Sequence, residues 1–551
     1  MPRSATSPSP TAAELGVQLS PGRIADMRRQ GLWGDAMLTD FLDRAVAARP
    51  DAEAITSVGL RSNRVSRLTY RDVVAATERV AAGLAGLGAR PGTVVSVQLP
   101  SWWQFSIVVL ACTRLGCIVN PVMPTARGRD LQTMLGLCET SIHIVPRHFR
   151  GVDYPSLIDG FRKELPRLEH VVVIDDEAAD SFSGLPGEIR RPSPFSGADA
   201  VTEIMFTSGT TGLPKGVMHT SNTLLAATRA FAARNELGAE DVIFMGSPLA
   251  HQTGYVWGIF LPILLGCRVV LLDQWDPRRA AELIEKEGVT FSVSAPTFLA
   301  DLLAVHEETG FDAKSLKAFV LAGAPVPKIL VERARERLGI RIGSAWGMTE
   351  VGLPTISLTT DSATRVSASD GLPVPGVEIR IVDPAGLPAA PGIEGRLQAR
   401  GAFNFVGYLK QPALYDTDGD GWFDTGDLGF MDEQGYLRIT GRAKDIIIRG
   451  GEKIPVADVE NVLYRHPAIE DVAIVAMPDD RLGERACAYV TLKSGADSFD
   501  MDDLKKYLSD QGVTRTYFPE RLEIIPQMPR TPSGKIQKFE LRRQAANPAP
   551  R

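Results

Sequence analysis

The sequence predicts a mixed α/β fold on three observations. Short apolar runs alternate with helical periods from about Leu38 to Gly371. Beyond Gly371 the apolar runs are separated by Gly, Pro and Asp, which suggests a smaller β-rich subdomain. After Arg442–Asp445 the chain returns to β-α-β character, which places a domain boundary there. At 551 residues the chain is long enough for several folding units with large cores.

Element by element, Leu68-Thr-Tyr opens a unit whose helix covers about Asp72–Leu87. Thr93–Leu99 reads as a strand, Ser106–Leu115 as a helix and Cys117–Pro121 as the next strand. Later strands are His170–Ile174, Ile204–Phe206, Arg268–Leu272, Thr290–Val293 and Ala318–Leu321. Such alternation indicates largely parallel, buried strands. Gly254–Cys267 is apolar but too short to cross a bilayer, and reads as a buried helix. The β-rich part contains Glu378–Val382, Gly395–Ala399 and Tyr436–Thr440. The last part contains a helix at Ala457–Tyr464, strands at Ile469–Met477 and Ala486–Leu492, and a helix at Met501–Ser509.

A formal net charge of −6 gives no support for nucleic-acid binding. Cys112, Cys117, Cys138, Cys267 and Cys487 lie mostly in apolar runs without a CxxC pair. They read as buried free thiols of a reducing compartment, hence a cytoplasmic location. The N-terminus has no apolar h-region, so residues 1–25 read as a disordered tail rather than a signal peptide.

The strongest chemical signal is Thr207-Ser-Gly-Thr-Thr-Gly-Leu-Pro-Lys-Gly-Val217, directly after the strand at Ile204–Phe206. Its glycines allow backbone shapes closed to other residues and expose amide N–H groups. Thr207, Ser208, Thr210 and Thr211 add hydroxyl donors, and Lys215 adds positive charge. With Gly209 and Gly212 they make a cradle for a polyphosphate anion. The string does not match the Walker A pattern.

This loop resembles the signature of the adenylate-forming superfamily, which includes acyl-CoA synthetases, peptide-synthetase adenylation domains and luciferases. The remaining motifs follow in register up to Lys538. The resemblance implies a large N-terminal AMP-binding domain, residues 26–441, made of two α/β subdomains and a β-rich subdomain. A hinge at 442–445 joins it to a small mobile α+β domain, 446–543, with a tail at 544–551. Gly343-Ser-Ala-Trp-Gly-Met-Thr-Glu350 is similar to the family's adenine and magnesium motif. By that resemblance Trp346 and Gly347 meet adenine, Thr349 bonds the α-phosphate and Glu350 helps to hold Mg²⁺. A hard cation of this kind takes oxygen ligands and bridges phosphates. Many members carry Tyr where Trp346 stands. Ala322-Gly-Ala-Pro325 is like the loop that flanks adenine and the acyl group, so Gly323, Ala324 and Pro325 join the nucleotide set. Gly421-Trp-Phe-Asp-Thr-Gly-Asp427 matches the ribose motif, with Asp427 accepting the hydroxyls. Arg442 resembles the second ribose or phosphate contact, and Lys444 falls at the family's hinge position.

Pro529-Arg-Thr-Pro-Ser-Gly-Lys535 resembles the C-terminal catalytic loop. Lys535 would bring positive charge to the crowded phosphate oxygens as the carboxylate attacks, where it counts most in the transition state. Pro248-Leu-Ala-His251 resembles the motif whose histidine borders the acyl pocket. Gln252, Thr253, Trp257, Ala322, Ala345 and Met348 are its candidate neighbours. Arg449, Gly450 and Gly451 would line a pantetheine tunnel after the small domain turns. The implied co-substrates are ATP, with Mg²⁺, and coenzyme A. Lys535 is also where a lysine acyltransferase and deacylase would act, since neutralising its charge would remove the first half-reaction. A homodimer is compatible with the sequence.

Three readings compete. The loop Met528–Lys538 looks most like the carboxylate–CoA ligase branch, acting on a medium-chain, alicyclic or aromatic acid. The segment Gly441–Lys453 is similar to stand-alone aryl-acid adenylating enzymes that load a carrier protein. A non-catalytic nucleotide-binding relative is disfavoured by the set Lys215, Glu350, Asp427 and Lys535. A luciferase-like oxygenase would share the scaffold.

Overall fold

Strand pairing sorts the apolar runs into sheets whose edges and order position the chemistry. A computed structural model of the chain describes residues 11–175, 182, 185, 195, 197–207, 214–324, 326–443, 447–449, 452–479, 481–496, 498–531 and 536–546. Among the described residues, a nine-stranded sheet runs in the order Leu372–Pro373, Gly352–Ile356, Arg341–Met348, Ala318–Ala322, Phe291–Ser294, Val242–Met245, Arg268–Leu272, Glu53–Val58 and Val65–Thr69. Its inner pairs are parallel, and antiparallel pairs close both ends. A six-stranded sheet has the order Lys215–Thr220, Val201–Thr207, Ile118–Pro121, Val94–Val97, Ile142–Pro146 and His170–Ile174. It is parallel except where Lys215–Thr220 returns beside Val201–Thr207.

The parallel strands are buried on both faces, which explains their near-continuous apolar runs. On the nine-stranded sheet Ile243, Val269 and Leu271 face one core, and Phe244, Val270 and Leu272 the other. That is the two-residue period of a pleated strand. The first core lies between the two sheets and includes the helices Trp103–Leu115 and Ser221–Asn235. The second core is closed by the helices Pro277–Glu287, Pro296–Thr309 and Lys328–Leu338. Helix starts follow local chemistry. Thr69 and Asp72 form a capping box before Tyr70–Gly86, and Asp276 caps Pro277–Glu287 with Pro in the first turn.

The β-rich part is a four-stranded antiparallel sheet, Val377–Val382, Gly395–Gly401, Phe423–Met431 and Leu437–Arg442. The C-terminal part is a five-stranded sheet with its own core around Val472, Ile474, Ala488, Leu504 and Leu508. Its central hairpin pairs Ile469–Asp479 with Gly483–Leu492, and the helices Val456–Leu463 and Met501–Asp510 accompany it. All five cysteines are free and buried. Burial pushes the Cys117 and Cys487 thiols up to about 12. Among the described residues, no helix is long and apolar enough to cross a membrane.

Two sequence expectations change. Residues 1–25 are expected from the sequence to be disordered; residues 1–10 lie outside the described residues, but 11–25 form a helix at Ala12–Leu15 and begin another at Pro21–Arg29. Thr11 and Glu14 make a reciprocal capping box, and Ser20 caps a helix with Pro in its first turn. Leu15 is buried, so the segment is anchored. The expected single helix at Gly254–Cys267 is instead α-helical at Gln252–Tyr255, π-helical at Val256–Phe260 and α-helical at Leu261–Leu265. Pro262 has no N–H to donate to the preceding turn, which favours the wider turn before it. Gly266 then ends the helix at φ +66°.

Candidate active site

Thr207 and Lys215 are cross-strand partners, so the phosphate-cradle sequence begins and ends on one antiparallel ladder. Ser208, Gly209, Thr210, Thr211 and Gly212 lie outside the described residues. Lys215 places its ammonium 5.1 Å from the centroid of the Tyr408 ring. The Tyr408 hydroxyl donates to Glu350 Oε1 at 2.8 Å. Glu350 is buried, and that burial pushes its carboxyl pKa up. The Tyr408 hydrogen bond, Arg442 and Lys215 pull the other way.

Thr349 and Glu350 sit in the turn between Arg341–Met348 and Gly352–Ile356. This turn needs Gly347. A Cβ there would stand 1.9 Å from the carbonyl oxygen of Gly352. His219 lies behind the turn, with Nε2 2.7 Å from the Thr349 carbonyl and Nδ1 2.9 Å from Thr223 Oγ1. Burial lowers its pKa to about 4, so the ring is neutral at pH 7 and Nε2–H donates to the carbonyl.

Asp427 is nearly buried and doubly held. Trp346 Nε1 donates to its Oδ2 at 2.9 Å, and Arg442 Nε pairs with its Oδ1 at 3.0 Å. Arg442 is also its cross-strand partner. Each carboxylate oxygen keeps a further acceptor position, so two hydroxyls can still be received. Trp346 itself is buried in the apolar cluster with Val217, Val351, Phe405 and Tyr408.

Ala322 and Ala345 pair across neighbouring parallel strands. Gly323 and Ala324 follow in exposed positions, Met348 is half-buried, and Pro325 lies outside the described residues. His251 accepts the Thr253 N–H on Nδ1 at 3.3 Å and caps the helix Gln252–Tyr255. Gln252 Nε2 donates to Glu203 Oε2 at 3.4 Å inside the core, and Trp257 stacks on Phe231 at 4.0 Å between centroids. Burial pushes the Glu203 carboxyl up to about 8. The backbone passes close here. A Cβ on Gly254 would lie 2.1 Å from the Pro248 carbonyl oxygen.

In the C-terminal sheet Arg449 forms an ion pair with Glu520 and donates to the Phe518 carbonyl at 3.4 Å. Lys444, Gly450, Gly451 and Lys535 lie outside the described residues. Thus Lys215, Thr349, Glu350, Trp346, Asp427 and Arg442 are linked through shared partners, with Tyr408 and His219 as unforeseen members. A signal for His219 was present: Lys215, Val217 and His219 alternate onto one face of a strand.

Residues 42–409 match the AMP-binding enzyme family, and residues 458–535 match the AMP-binding enzyme C-terminal domain. The chain belongs to the AMP-binding enzyme family. It is similar to a medium-chain fatty-acid–CoA ligase of Escherichia coli (strain K12), 38% identical over 95% of this chain and 92% of the relative. It is also similar to the salicyl-AMP ligase / salicyl-S-ArCP synthetase of Mycobacterium tuberculosis (strain ATCC 25618 / H37Rv), 32% identical over 98% of this chain and 96% of the relative. The crystal structure of the anthranilate CoA ligase AuaEII in complex with anthranoyl-AMP shares the fold. Its TM-score is 0.83 at 24% identity, covering 93% of this chain and 98% of that chain. This member of the AMP-binding family is an ATP-using, AMP-forming acid–thiol ligase of the acyl-CoA synthetase branch.

Glu350 fits the family's magnesium chemistry. It offers one buried carboxylate, whose Oε1 accepts from Tyr408 and whose ionised form is disfavoured by that burial. Mg²⁺ suits such a site, because it takes one or two protein carboxylates and completes its shell with phosphates and water. Among the described residues no group of three His, Cys, Asp or Glu forms an all-protein cage.

Proposed function

We propose that this protein activates a medium-chain, alicyclic or aromatic carboxylic acid as its acyl-adenylate and transfers the acyl group to coenzyme A. The observation that carries the reading is the linkage of Lys215, Glu350, Asp427 and Arg442 through Tyr408 and Trp346. These are cationic and carboxylate side chains of the kinds that binding a metal–nucleoside triphosphate requires, which supports the reading. A carboxylate is a poor acyl donor because its leaving group is an oxide. Attack on the α-phosphate forms a mixed anhydride and expels pyrophosphate, and the thiol then displaces AMP from the carbonyl.

In this reading Asp427, held by Trp346 and Arg442, receives the ribose hydroxyls. Thr349 meets the α-phosphate, and Lys215 with the loop 207–212 meets the outer phosphates. Glu350 would hold Mg²⁺, which supplies positive charge to the phosphates when bound. Residues 26–441 act as the large domain and 446–543 as a small domain turning on 442–445 at Lys444. Lys535 serves adenylation, and Arg449, Gly450 and Gly451 serve the thiol step. The pocket for the acid is drawn from His251, Gln252, Thr253, Trp257, Ala322, Ala345 and Met348. Acylation of Lys535 would silence the first step.

A medium-chain acid is supported by the 38% identity to the fatty-acid–CoA ligase. A second reading, an aryl acid passed to a carrier protein, is supported by the salicyl-AMP ligase at 32% and a 2,3-dihydroxybenzoate-AMP ligase of Bacillus subtilis (strain 168) at 30%. The discriminating experiment follows AMP release and thioester formation across straight-chain, alicyclic and aromatic acids, with and without coenzyme A. Acyl-CoA formed from at least one acid supports the first reading. Stable acyl-AMP that coenzyme A never consumes supports the second.

A further inference from the structure

The N-terminal segment is tied to the stretch of chain that holds Glu350. Arg23, on the helix Pro21–Arg29, donates from Nη1 to the Phe405 carbonyl at 3.1 Å and to the Tyr415 hydroxyl at 3.3 Å. From Nη2 it donates to the Gly401 carbonyl at 3.3 Å and to the Asn404 carbonyl. Trp33 Nε1 donates to the Ala402 carbonyl at 3.0 Å. The backbone joins in: the Gln18 N–H meets the Val406 carbonyl at 2.6 Å, and the Lys410 N–H meets the Leu15 carbonyl at 2.8 Å. The other side of the same stretch faces the site. The Phe405 N–H donates to the Glu350 carbonyl at 2.8 Å, and the Tyr408 hydroxyl to Glu350 Oε1 at 2.8 Å. The Leu409 N–H meets the Gly216 carbonyl at 2.7 Å, which links the stretch to the strand that follows the phosphate loop.

Arg23 is suited to this clamp. A guanidinium is a planar fork of donors, and here it spans several carbonyls along one bend of chain. It pairs with no carboxylate among the described residues, so its donors are spent on main-chain and phenolic oxygens. Its carbon also lies 5.2 Å from the Trp33 ring centroid, which fixes the plane.

We infer that Arg23 is a positioning residue for adenylate formation. By clamping residues 401–405 it holds the chain whose Phe405 N–H and Tyr408 hydroxyl aim the Glu350 carboxylate at the metal–triphosphate. The inference rests on the ligase reading for the reaction, and it makes the N-terminal helix part of the machinery of the first half-reaction.

The test compares the full-length wild type with Arg23→Met, Arg23→Lys and Arg28→Met. Arg28 is on the same helix but pairs with Asp35 at 2.7 Å and Asp199 at 2.8 Å, away from the clamp. ATP affinity is measured by calorimetry with Mg²⁺ and with EDTA. Both half-reactions are also timed: pyrophosphate exchange, and thioester formation from supplied acyl-AMP. Losing charge-assisted hydrogen bonds of this kind predicts about a 10-fold loss of the Mg²⁺-dependent part of ATP affinity in Arg23→Met. Exchange falls with it, while the thiol step stays within about 3-fold. Arg23→Lys, with a charge but no fork, falls between, and Arg28→Met behaves as wild type in both readouts. Equal losses of affinity with and without Mg²⁺ overturn the inference, as do equal losses of both half-reactions. If Arg23→Met does not fold, Arg23→Lys decides, and a wild-type Mg²⁺ dependence in that variant overturns the inference. If the wild type forms no adenylate from any acid, the ligase reading falls, while the calorimetric comparison still reads the clamp.

Discussion

Replacing Trp346 by Phe removes the indole N–H together with one of its two rings, and leaves a smaller aromatic in the same place. The indole N–H donates to Asp427 Oδ2 at 2.9 Å, and both side chains are nearly buried, at 8% and 4% exposure. Trp346 packs in the apolar cluster with Val217, Val351, Phe405 and Tyr408, an environment that suits a phenyl ring. Asp427 then has one fixed partner, Arg442, at 3.0 Å. A hydrogen bond to a buried charged group contributes about 1.5–3 kcal/mol. At ~1.4 kcal/mol per factor of ten, that is roughly a 10- to 150-fold effect if the carboxylate's aim is what the ribose meets. The assay is pyrophosphate exchange at varied ATP, repeated with 2′-deoxy- and 3′-deoxy-ATP. Trp346→Phe should raise the KM for ATP by about 10-fold or more. It should also shrink the penalty for a missing hydroxyl, because the variant's carboxylate no longer presents its acceptors well. A KM within about 2-fold of wild type, or a deoxy penalty unchanged by the substitution, refutes the reasoning.

Tyr408→Phe removes the donor to Glu350 and should reduce adenylation about 10-fold or more, read as pyrophosphate exchange, with its largest effect at low Mg²⁺. Gly347→Ala would set a methyl 1.9 Å from the Gly352 carbonyl oxygen, so it should displace Thr349 and Glu350 and abolish exchange; retained exchange would mean the turn can yield. Lys535→Ala should abolish adenylate formation while supplied acyl-AMP is still converted to thioester, and equal loss of both steps would contradict a two-state small domain. Glu203 makes a pH prediction: its folded pKa, about 8, lies above the ordinary 4.5, so the folded state binds the extra proton between these values. Stability is therefore fully present below about 4.5 and is lost as pH rises through 8, by a few kcal/mol at ~1.4 per unit. Glu203→Gln should gain in Tm relative to wild type as pH goes from 5 to about 8.5, and a flat difference would count against the burial argument.

Much of this site was readable from local strings. Asp427 and Arg442 sit in motifs whose spacing survives into a cross-strand pair. Ala322 and Ala345 come from separate motifs and meet because parallel strands place their C-terminal ends together. The buried strands were visible as apolar runs because both faces are covered. The contacts that tune the site were not visible. Tyr408 meets Glu350 across 58 positions, His219 meets Thr349 across 130, and Arg23 meets Asn404 across 381. Local periodicity carries no information over such separations. The N-terminal helices were missed because a segment rich in Pro, Ser and Ala resembles a tail. Its order comes from caps and from docking rather than from an apolar stripe. Within the apolar run Gly254–Cys267 an unbroken helix and one with a π-helical turn before Pro262 share the same apolar pattern, so periodicity alone does not distinguish them.

The central claim is that cradle, carboxylate and lysine act on one triphosphate. Its most direct test is the isotope exchange of labelled pyrophosphate into ATP, with a panel of acids, by wild type and Glu350→Gln. The account predicts exchange that requires both an acid and Mg²⁺ in the wild type and is lost in the variant. Exchange that persists in Glu350→Gln, or that never appears in the wild type with any acid, contradicts it.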